Sequence, residues 1–295
     1  MSGPSLRRIW LCADDYGISP GVNRAIRDLI ERGRLNATSV MVVGSSIGRD
    51  ETGALQAAAA TSPRCAIGLH ATLTAPFHPL TMHFRPLDGG MFLPFPKLLR
   101  AGLSRRLDPE MIRAELMIQL ATFTDLFGRP PDFVDGHQHA HVLAPIRRWL
   151  FDELDARALT GKIWLRDSTD RPSRILRRNT ELKKAFAVSW LGRGFAREAA
   201  ARGFSTNEGF SGFSGFDPCA DYAVDFATYL RAPGRRHLIM CHPGYCDAEL
   251  VLIDPVTLTR ERELSFLLSP AFAETLERAS LRLARMTPPR IEIAA

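Results

Sequence analysis

Residues 9–23 read IWLCADDYGISPGVN, and this stretch decides the fold class. The apolar run from Ile9 to Ala13 is typical of a buried strand. The Ser19-Pro20 pair provides an N-cap and a first-turn proline for a helix that should continue to about Arg32. A strand that passes through a polar turn into a helix is the repeating unit of an α/β protein, so the stretch predicts that class.

The same alternation continues along the chain. Further apolar runs predict strands, and the segments between them have the apolar spacing of helices. We expect strands at 37–43, 65–69, 132–135, 163–165 and 237–241, and helices at 51–60, 109–127 and 145–154. Strands that alternate with helices predict a parallel sheet with helical crossovers. At 295 residues, with no long linker, the chain suits a single α/β barrel domain spanning 1–295.

Two segments interrupt this rhythm. Residues 75–107 are rich in proline, glycine and aromatic residues. A long loop of this kind in a compact domain is usually functional or disordered, and we expect a substrate-side insertion directly after His70. Residues 204–216 read FSTNEGFSGFSGF, which favours a loop that touches a ligand. Residues 276–284 are expected to form a last helix or a helix that leads into a strand.

Composition excludes several classes of protein. Hydrophobic residues make up 45% of the chain and charged residues 24%, as in globular proteins with a sizeable core. The net charge of +6 comes largely from arginine doublets, which are typical of solvated helix ends, with an anionic partner as the alternative. No basic stripe is interleaved with aromatic residues, so nucleic acid is not an expected partner.

The cysteines and the apolar runs bear on location. The five cysteines lack CxxC spacing, which favours a reducing compartment and a packing role for most of them. Cys241 and Cys246 flank His242, but we do not expect either to bind a metal. No apolar run reaches 18 residues, and no signal-peptide pattern is present. We therefore expect a cytoplasmic protein without membrane insertion.

Residues that carry chemistry follow the ends of the expected strands. Asp14 and Asp15 close the first strand, and His70, His137 and His242 follow later ones. The carboxyl ends of parallel strands converge on one face of an α/β barrel. A carboxylate and two imidazoles can hold one divalent metal ion there. A spare carboxylate and a spare imidazole are the further parts of a metal-assisted hydrolase.

The adjacent aspartates should have different tasks. Neighbouring side chains on an extended chain point in opposite directions, so Asp14 and Asp15 need not share one partner. One can bind the metal while the other accepts a proton. The alternative is that one of them only caps the following turn or helix.

The segment DGHQHAH at 135–141 contains three histidines at every second position. On an extended chain His137, His139 and His141 would share one face. Such density favours a metal site or its surroundings. His137 is the expected ligand because it lies nearest the strand end, and His139 and His141 should orient the site or meet the substrate.

His242 stands in MCHPGY at 240–245, where a strand gives way to a tight turn. A histidine held by proline and glycine is well placed to protonate a leaving group. A structural role for this histidine is the alternative.

Taken in order, these motifs resemble one family. ADDYG at 13–17, GLH at 68–70, DGHQHAH at 135–141 and CHPGY at 241–245 are similar to the motifs of the YdjC-like (ChbG/HpnK) carbohydrate deacetylases. The later Arg262-Glu263-Leu264 resembles that family's C-terminal pattern. Tyr16 and Gln138 depart from its usual residues, and neither departure affects a proposed ligand.

The resemblance implies a fold, a reaction and a set of roles. The fold would be an irregular (β/α) TIM-like barrel with a long loop insertion after the third strand. The reaction would be metal-dependent removal of an N-acetyl group from an acetylated amino sugar, with release of acetate. The resemblance makes Asp15, His70 and His137 the metal ligands, Asp14 the general base and His242 the acid.

Several points stay open at this level. The ligand set suits zinc, cobalt, iron or manganese, while the resemblance implies one divalent ion that is magnesium or zinc. The substrate could instead be a lipid-linked, hopanoid-type amino sugar. The chain could also be a sugar- or metal-binding protein without turnover. A homodimer is expected from the resemblance alone.

Overall fold

The computed structural model describes residues 6–61 and 65–284. Most strands join one large sheet, and every strand pair in that sheet is parallel. The strands are β1 Arg7–Tyr16, β2 Ala37–Val40, β3 Ala66–Ala71, β4 Leu87–Asp88, β5 Met91–Phe92, β6 Phe133–Gly136, β7 Trp164–Leu165, β8 Ser205–Thr206, β9 Phe210–Ser211, β10 His237–Cys241 and β11 Leu281–Leu283. Only β4 and β5 stand apart, as an antiparallel pair.

Helices occupy most of the connections between strands. They are α1 Pro20–Glu31, α2 Arg49–Thr61, α3 Phe95–Leu103, α4 Pro109–Phe127, α5 Ala144–Ala156, α6 Pro172–Arg178, α7 Leu182–Leu191, α8 Phe195–Ala201, α9 Tyr222–Tyr229, α10 Ala248–Ile253, α11 Leu258–Leu268 and α12 Pro270–Arg278. A 3-10 turn covers His137–Val142. Within the described residues, no helix is long and apolar enough to cross a membrane.

The sheet curls into an incomplete barrel. Its strand order is β8-β7-β6-β3-β2-β1-β10-β9, with β11 added on β1. Eight strands in a flat sheet would place β8 and β9 about 34 Å apart. Yet Thr206 and Phe210 are only four positions apart on the chain, which limits their separation to about 14 Å. The two edges must therefore approach each other, and the predicted barrel-like α/β fold is confirmed.

Local signals explain the helix ends that position the site. Ser19 caps α1 by accepting a hydrogen bond from the Val22 N–H, and Pro20 occupies the first turn. Helix α4 begins after the N-cap Asp108 and ends at Gly128, which has a φ of 67°. Glycine adopts this left-handed conformation without steric cost.

The strands divide the core into two layers by alternation. Ile9, Leu11 and Ala13 face the helices, whereas Trp10 and Cys12 face the barrel interior. The interior layer is a stack of aromatic rings. Trp164 lies 4.1 Å from Phe133 and 6.2 Å from Trp10, between ring centroids.

The rings of Trp10, Phe133 and Trp164 form an aromatic floor below the site, and Gly68 of the GLH motif lies against it. A Cβ on Gly68 would lie 2.5 Å from ring atoms of Phe133. Real Cβ atoms do not approach so closely, so a larger residue would displace the ring. The glycine in GLH therefore makes room for the aromatic stack below the site.

Two expectations need correction, and the structure decides between the alternatives of a third. Residues 75–107 contain the β4–β5 pair and α3, so the insertion is partly regular. Residues 204–216 supply β8 and β9, the two edge strands of the main sheet, because two residues suffice to pair with a neighbour. Residues 276–284 hold the end of α12 and then β11, as the second of the two expectations had it.

Candidate metal and catalytic centre

The site lies one layer above the aromatic floor. Inward positions recur every second residue on a strand. The residues two positions after Cys12, Gly68, Phe133 and Trp164 are all polar, and all are buried. They are Asp14, His70, Asp135 and Arg166. The strands therefore deliver two carboxylates, an imidazole and a guanidinium to one water-poor layer.

Asp15, His70 and His137 converge on one point. Asp15 Oδ1 is 3.4 Å from His70 Nε2 and 3.4 Å from His137 Nδ1. One atom from each residue lies within 4.8 Å of the others. Asp15 Oδ1 is buried without a hydrogen-bond partner. A carboxylate and two imidazoles in this arrangement fit a divalent cation, which would satisfy that orphaned oxygen.

The backbone of Asp15 explains how it joins this group. Its φ is 69°, in the left-handed region that aspartate tolerates better than most residues. This turn takes Asp15 out of the strand's alternation, and Asp14 stays in it. The two neighbouring aspartates consequently have different partners.

His70 is held by its second nitrogen. Its Nδ1–H donates to Asp135 Oδ1 at 2.7 Å, which leaves Nε2 facing Asp15. A carboxylate behind a metal-binding histidine fixes its tautomer and its orientation. Burial lowers the pKa of His70, but Asp135, Asp15 and Asp14 outweigh it and raise the value to about 10. The surroundings therefore favour a positive charge at this point, from a proton or from a bound cation.

Arg166 connects the two inward carboxylates. Its Nη1 and Nη2 donate to the two oxygens of Asp14, each at 2.6 Å. Its Nη2 is also 2.5 Å from Asp135 Oδ2. Burial raises the pKa of Asp14, but the guanidinium outweighs it and holds the pKa well below its usual range. Asp14 is therefore ionised at neutral pH.

A second set of ligand-type atoms surrounds the same guanidinium. Cys12, Asp14 and Asp135 also bring their donor atoms within 4.8 Å of one another. Arg166 Nη2 contacts all three, with its hydrogen bond to the Cys12 sulfur at 3.0 Å. Since the arginine already supplies the positive charge, this set does not need a metal ion.

Arg260, from α11, pairs with Asp15 as Arg166 pairs with Asp14. Its Nη2 donates to Asp15 Oδ2 and to Asp254 Oδ2, each at 2.6 Å. Burial raises the pKa of Asp15, but Arg260 and the two histidines hold it well below its usual range. One oxygen of Asp15 is thereby occupied, and Oδ1 alone faces the histidines.

His242 follows β10 and completes the group. Its main-chain N–H donates to Glu263 Oε2 at 2.6 Å, and its Nδ1 is buried without a partner. The ring of Phe216 meets it edge-on at 5.5 Å. Burial lowers the pKa of His242, partly offset by Asp15 and Asp14. Burial also favours the neutral form of Glu263, and it raises the pKa of this carboxyl to about 7.

The histidine-rich segment is not extended, so the prediction that its three histidines share one face is wrong. The chain enters a 3-10 turn at His137, and Gln138 and His139 have φ values of 51° and 59°. His141 is buried, and its Nε2–H donates to the Arg166 carbonyl at 2.8 Å. Burial lowers its pKa to about 4. His141 therefore braces the backbone that carries Arg166.

Both segments that interrupt the βα rhythm reach the site histidines. Phe77, in the 75–107 insertion, meets the ring of His137 edge-on at 5.5 Å. Phe213 meets His139 at 5.4 Å, and Phe216 of the same loop meets His242. The two segments thus form apolar walls beside the polar centre.

The residues that sequence reasoning missed are the partners of the predicted ones. Asp135, Arg166 and Arg260 were not assigned roles, although Asp135 begins the histidine-rich motif. An inward arginine two positions after a buried tryptophan in IWLRDS is a usable signal for Arg166. Nothing local to Arg260 separates it from the exposed arginine at position 262.

The sequence is similar to those of proteins named as deacetylases. A chitooligosaccharide deacetylase from Klebsiella pneumoniae is 29% identical over 282 residues, covering 92% of this chain and 94% of that protein. A human carbohydrate deacetylase is 33% identical over 162 residues, covering 53% and 47%.

Solved structures share the fold. A protein from Enterococcus faecalis, described as a candidate for cellobiose-phosphate cleavage, superposes with a TM-score of 0.67 at 21% identity, covering 95% of this chain and 98% of that one. A lactam utilization protein from Thermus thermophilus gives a TM-score of 0.53 at 15% identity, covering 95% and 100%. The model of the YdjC-like protein family matches residues 8–278, and the chain belongs to that family.

Proposed function

We propose that this protein is a metal-dependent carbohydrate deacetylase. It hydrolyses the acetamide of an acetylated amino sugar, which gives acetate and a free amine. The observation that carries the proposal is the buried pair of neighbouring aspartates with separate partners. One aspartate stands with two histidines as a cation site, and the other is an ionised carboxylate beside it. The deacetylase names of the relatives support the choice of reaction.

The metal would be held by Asp15 Oδ1, His70 Nε2 and His137 Nδ1. Three protein ligands leave positions open for water and substrate, as in catalytic rather than structural sites. A divalent ion held there supplies Lewis-acid polarisation of the amide carbonyl and a more acidic water. Two imidazoles among three ligands favour zinc over magnesium on donor chemistry, and we keep both ions as candidates.

Asp14 accepts the proton of the attacking water. Arg166 keeps this carboxylate ionised and fixes its orientation through both oxygens. The same contact makes Asp14 a weak base, so it suits a water whose pKa has already been lowered. Because Arg166 also pairs with Asp135, its positive charge is shared between two carboxylates.

His242 donates a proton to the departing amine. Its ring is fixed by the edge of Phe216, and its backbone by Glu263. The pKa of His242 is lowered by burial, while Asp15 and Asp14 favour the charged imidazolium. Asp14 and His242 together therefore move one proton from water and supply one to nitrogen, which balances the hydrolysis.

Acetate release tests the proposal. Chelated protein would be reloaded separately with zinc and magnesium and assayed on N-acetylglucosamine and chitobiose. We expect acetate from the reloaded protein and none from the chelated protein. Metal bound at the site without acetate from either sugar would contradict these substrates and favour a lipid-linked sugar or a binding protein.

An apolar groove favours a second candidate substrate, a lipid-linked amino sugar. It has a volume of about 160 Å³ and is lined mainly by α3, the start of α5 and the end of α7. Leu103 and Trp190 at this groove are exposed. Its wall from Leu143 to Pro145 directly follows the 3-10 turn that carries His137. Faster acetate release from an alkyl glycoside than from the free sugar, lost in Trp190→Ala, would support this candidate.

A further inference from the structure

His139 is held in a conformation that its local sequence does not favour. Gln138 and His139 both lie in the left-handed region, with φ values of 51° and 59°. Consecutive residues other than glycine rarely adopt it, and they persist there only where the surroundings fix them. The Gln138 side chain is exposed, so the fixing contacts are those of His139.

Three contacts fix the His139 ring. Its Nδ1 is 3.1 Å from the hydroxyl of Ser168, which is fully buried. Phe210 meets the ring edge-on at 5.5 Å, and Phe213 does so at 5.4 Å. The hydrogen bond to Ser168 occupies Nδ1, and the two phenylalanine rings fix the orientation of the imidazole plane.

The other edge of the ring is free. His139 is part-exposed, although its neighbours Phe210 and Phe213 are buried. Within residues 6–61 and 65–284, no hydrogen bond involves His139 Nε2. A half-buried and oriented ring with one unused nitrogen at a partly open surface is typical of a residue that contacts a ligand.

His139 lies close to the proposed catalytic centre. It follows the proposed metal ligand His137 by two positions, in the same 3-10 turn. The loop that packs on His139 through Phe213 also packs on His242 through Phe216. His139 and His242 therefore contact the same loop, through aromatic residues three positions apart.

We propose that His139 binds a hydroxyl of the sugar ring through Nε2 and so selects the substrate; this rests on the proposed deacetylase function. The metal site, Asp14 and His242 all act on the acetamide, and none of them holds the rest of the ring. A hydroxyl both donates and accepts, so it matches Nε2 whichever nitrogen of the imidazole carries the proton. A purely structural His139 would instead support the turn that carries His137.

Deoxy sugars test this assignment. The full chain carrying Asp14→Asn, loaded with zinc, would be titrated by calorimetry with chitobiose and with analogues that each lack one hydroxyl. The same series would be repeated with His139→Phe added, and kcat/KM would be measured for His139→Phe alone. Gln138→Asn serves as the matched control, since its side chain is exposed and asparagine tolerates this backbone conformation.

We expect one analogue to bind about 10-fold or more weakly than chitobiose, the size of one lost hydrogen bond with its partner left unpaired. In His139→Phe, chitobiose itself should bind more weakly by a similar factor. The affinity difference between chitobiose and that analogue should disappear, while zinc content stays unchanged. His139→Gln, whose amide reaches a similar point, should recover part of the binding.

Each of the other outcomes would overturn either the sugar contact of His139 or the deacetylase function. Loss of zinc from both His139 variants would show a structural residue. Unchanged discrimination among the analogues in His139→Phe would show that His139 contacts no hydroxyl. Sugar binding with the expected discrimination, but no acetate from the wild type, would refute the deacetylase function and leave the sugar contact standing. No sugar binding at all would refute both.

Discussion

The site has two halves, one around Asp14 and one around Asp15, and the two neighbouring aspartates have different hydrogen-bond partners. On one side Arg166, just after β7, takes both oxygens of Asp14. On the other side Arg260, from α11, takes only Oδ2 of Asp15, and Oδ1 faces His70 and His137. The number of oxygens that each arginine leaves free separates the proposed proton acceptor, Asp14, from the proposed metal ligand, Asp15. Identical side chains acquire different chemistry from the geometry of one partner.

The largest effect is expected from breaking the Asp14 half with Arg166→Met. This change leaves Asp14 and Asp135 as buried carboxylates without their shared cation. Breaking a buried ion pair in this way costs about 3–5 kcal/mol of unfolding free energy. Chemical denaturation at pH 7 would measure it. Arg171→Met is the matched control, because the Arg171 side chain is 70% exposed, and it should change stability little.

The pH dependence of the same variant sharpens the test. In the wild type the depressed pKa of Asp14 stabilises the fold above the usual pKa of aspartate, and this stability is lost as the pH falls through the depressed value. Without Arg166, burial still raises the pKa of Asp14, and only the weaker effects of His70 and His242 lower it. Arg166→Met should therefore lose less stability on acidification than the wild type. Equal pH profiles would contradict the role given to Arg166.

The Asp15 half should respond in metal affinity as well as in stability, because Arg260 is also a buried partner of two carboxylates. Arg260→Met frees Oδ2 of Asp15 and removes the contact that orients the carboxylate. Loss of such an outer partner typically weakens metal binding about 10–100-fold. Competition with a chelator would measure it. Arg262→Met, on the exposed side of the same helix, should bind metal as the wild type does. Equal affinities for Arg260→Met and the wild type would contradict this position for Arg260.

The smallest effect is expected where the two halves meet. The Ser39 hydroxyl donates to Asp14 Oδ1 at 3.3 Å and lies 3.1 Å from His70 Nδ1. Both contacts are long, and each group has a closer partner. Ser39→Ala should cost about 1 kcal/mol of unfolding free energy and leave metal content unchanged. Loss of metal from Ser39→Ala would show that the halves depend on each other through this residue.

Much of the fold follows from local sequence signals. Residues 109–127 form α4 with the expected bounds, because Asp108 and Gly128 mark its ends. The edge strands β8 and β9 could not be predicted, because two residues carry no periodic pattern and pair only once the sheet has curled. The 3-10 turn was equally hidden, since alternate histidines fit an extended chain.

The convergence of the acids and histidines could be predicted from the sequence, and the partners that hold them could not. Acids and histidines at strand ends converge by the geometry of parallel sheets alone, and GLH and CHPGY marked two of them. Their partners come from far along the chain: Arg166 is 152 positions from Asp14, and Arg260 is 245 from Asp15. Such pairs form only in the completed barrel. The local sequence can mark Arg166 as an inward residue but does not identify its partner, and nothing local marks Arg260.

The most direct test compares the neighbouring aspartates themselves. Asp14→Asn and Asp15→Asn are the same change one position apart, and zinc content and acetate release would be measured for both. We predict that Asp14→Asn keeps its zinc and loses about 10²–10⁴-fold in kcat, the size of a lost general base. Asp15→Asn should lose the zinc itself. Retained zinc in Asp15→Asn, or near-normal turnover in Asp14→Asn, would contradict the proposed division of roles between the two aspartates.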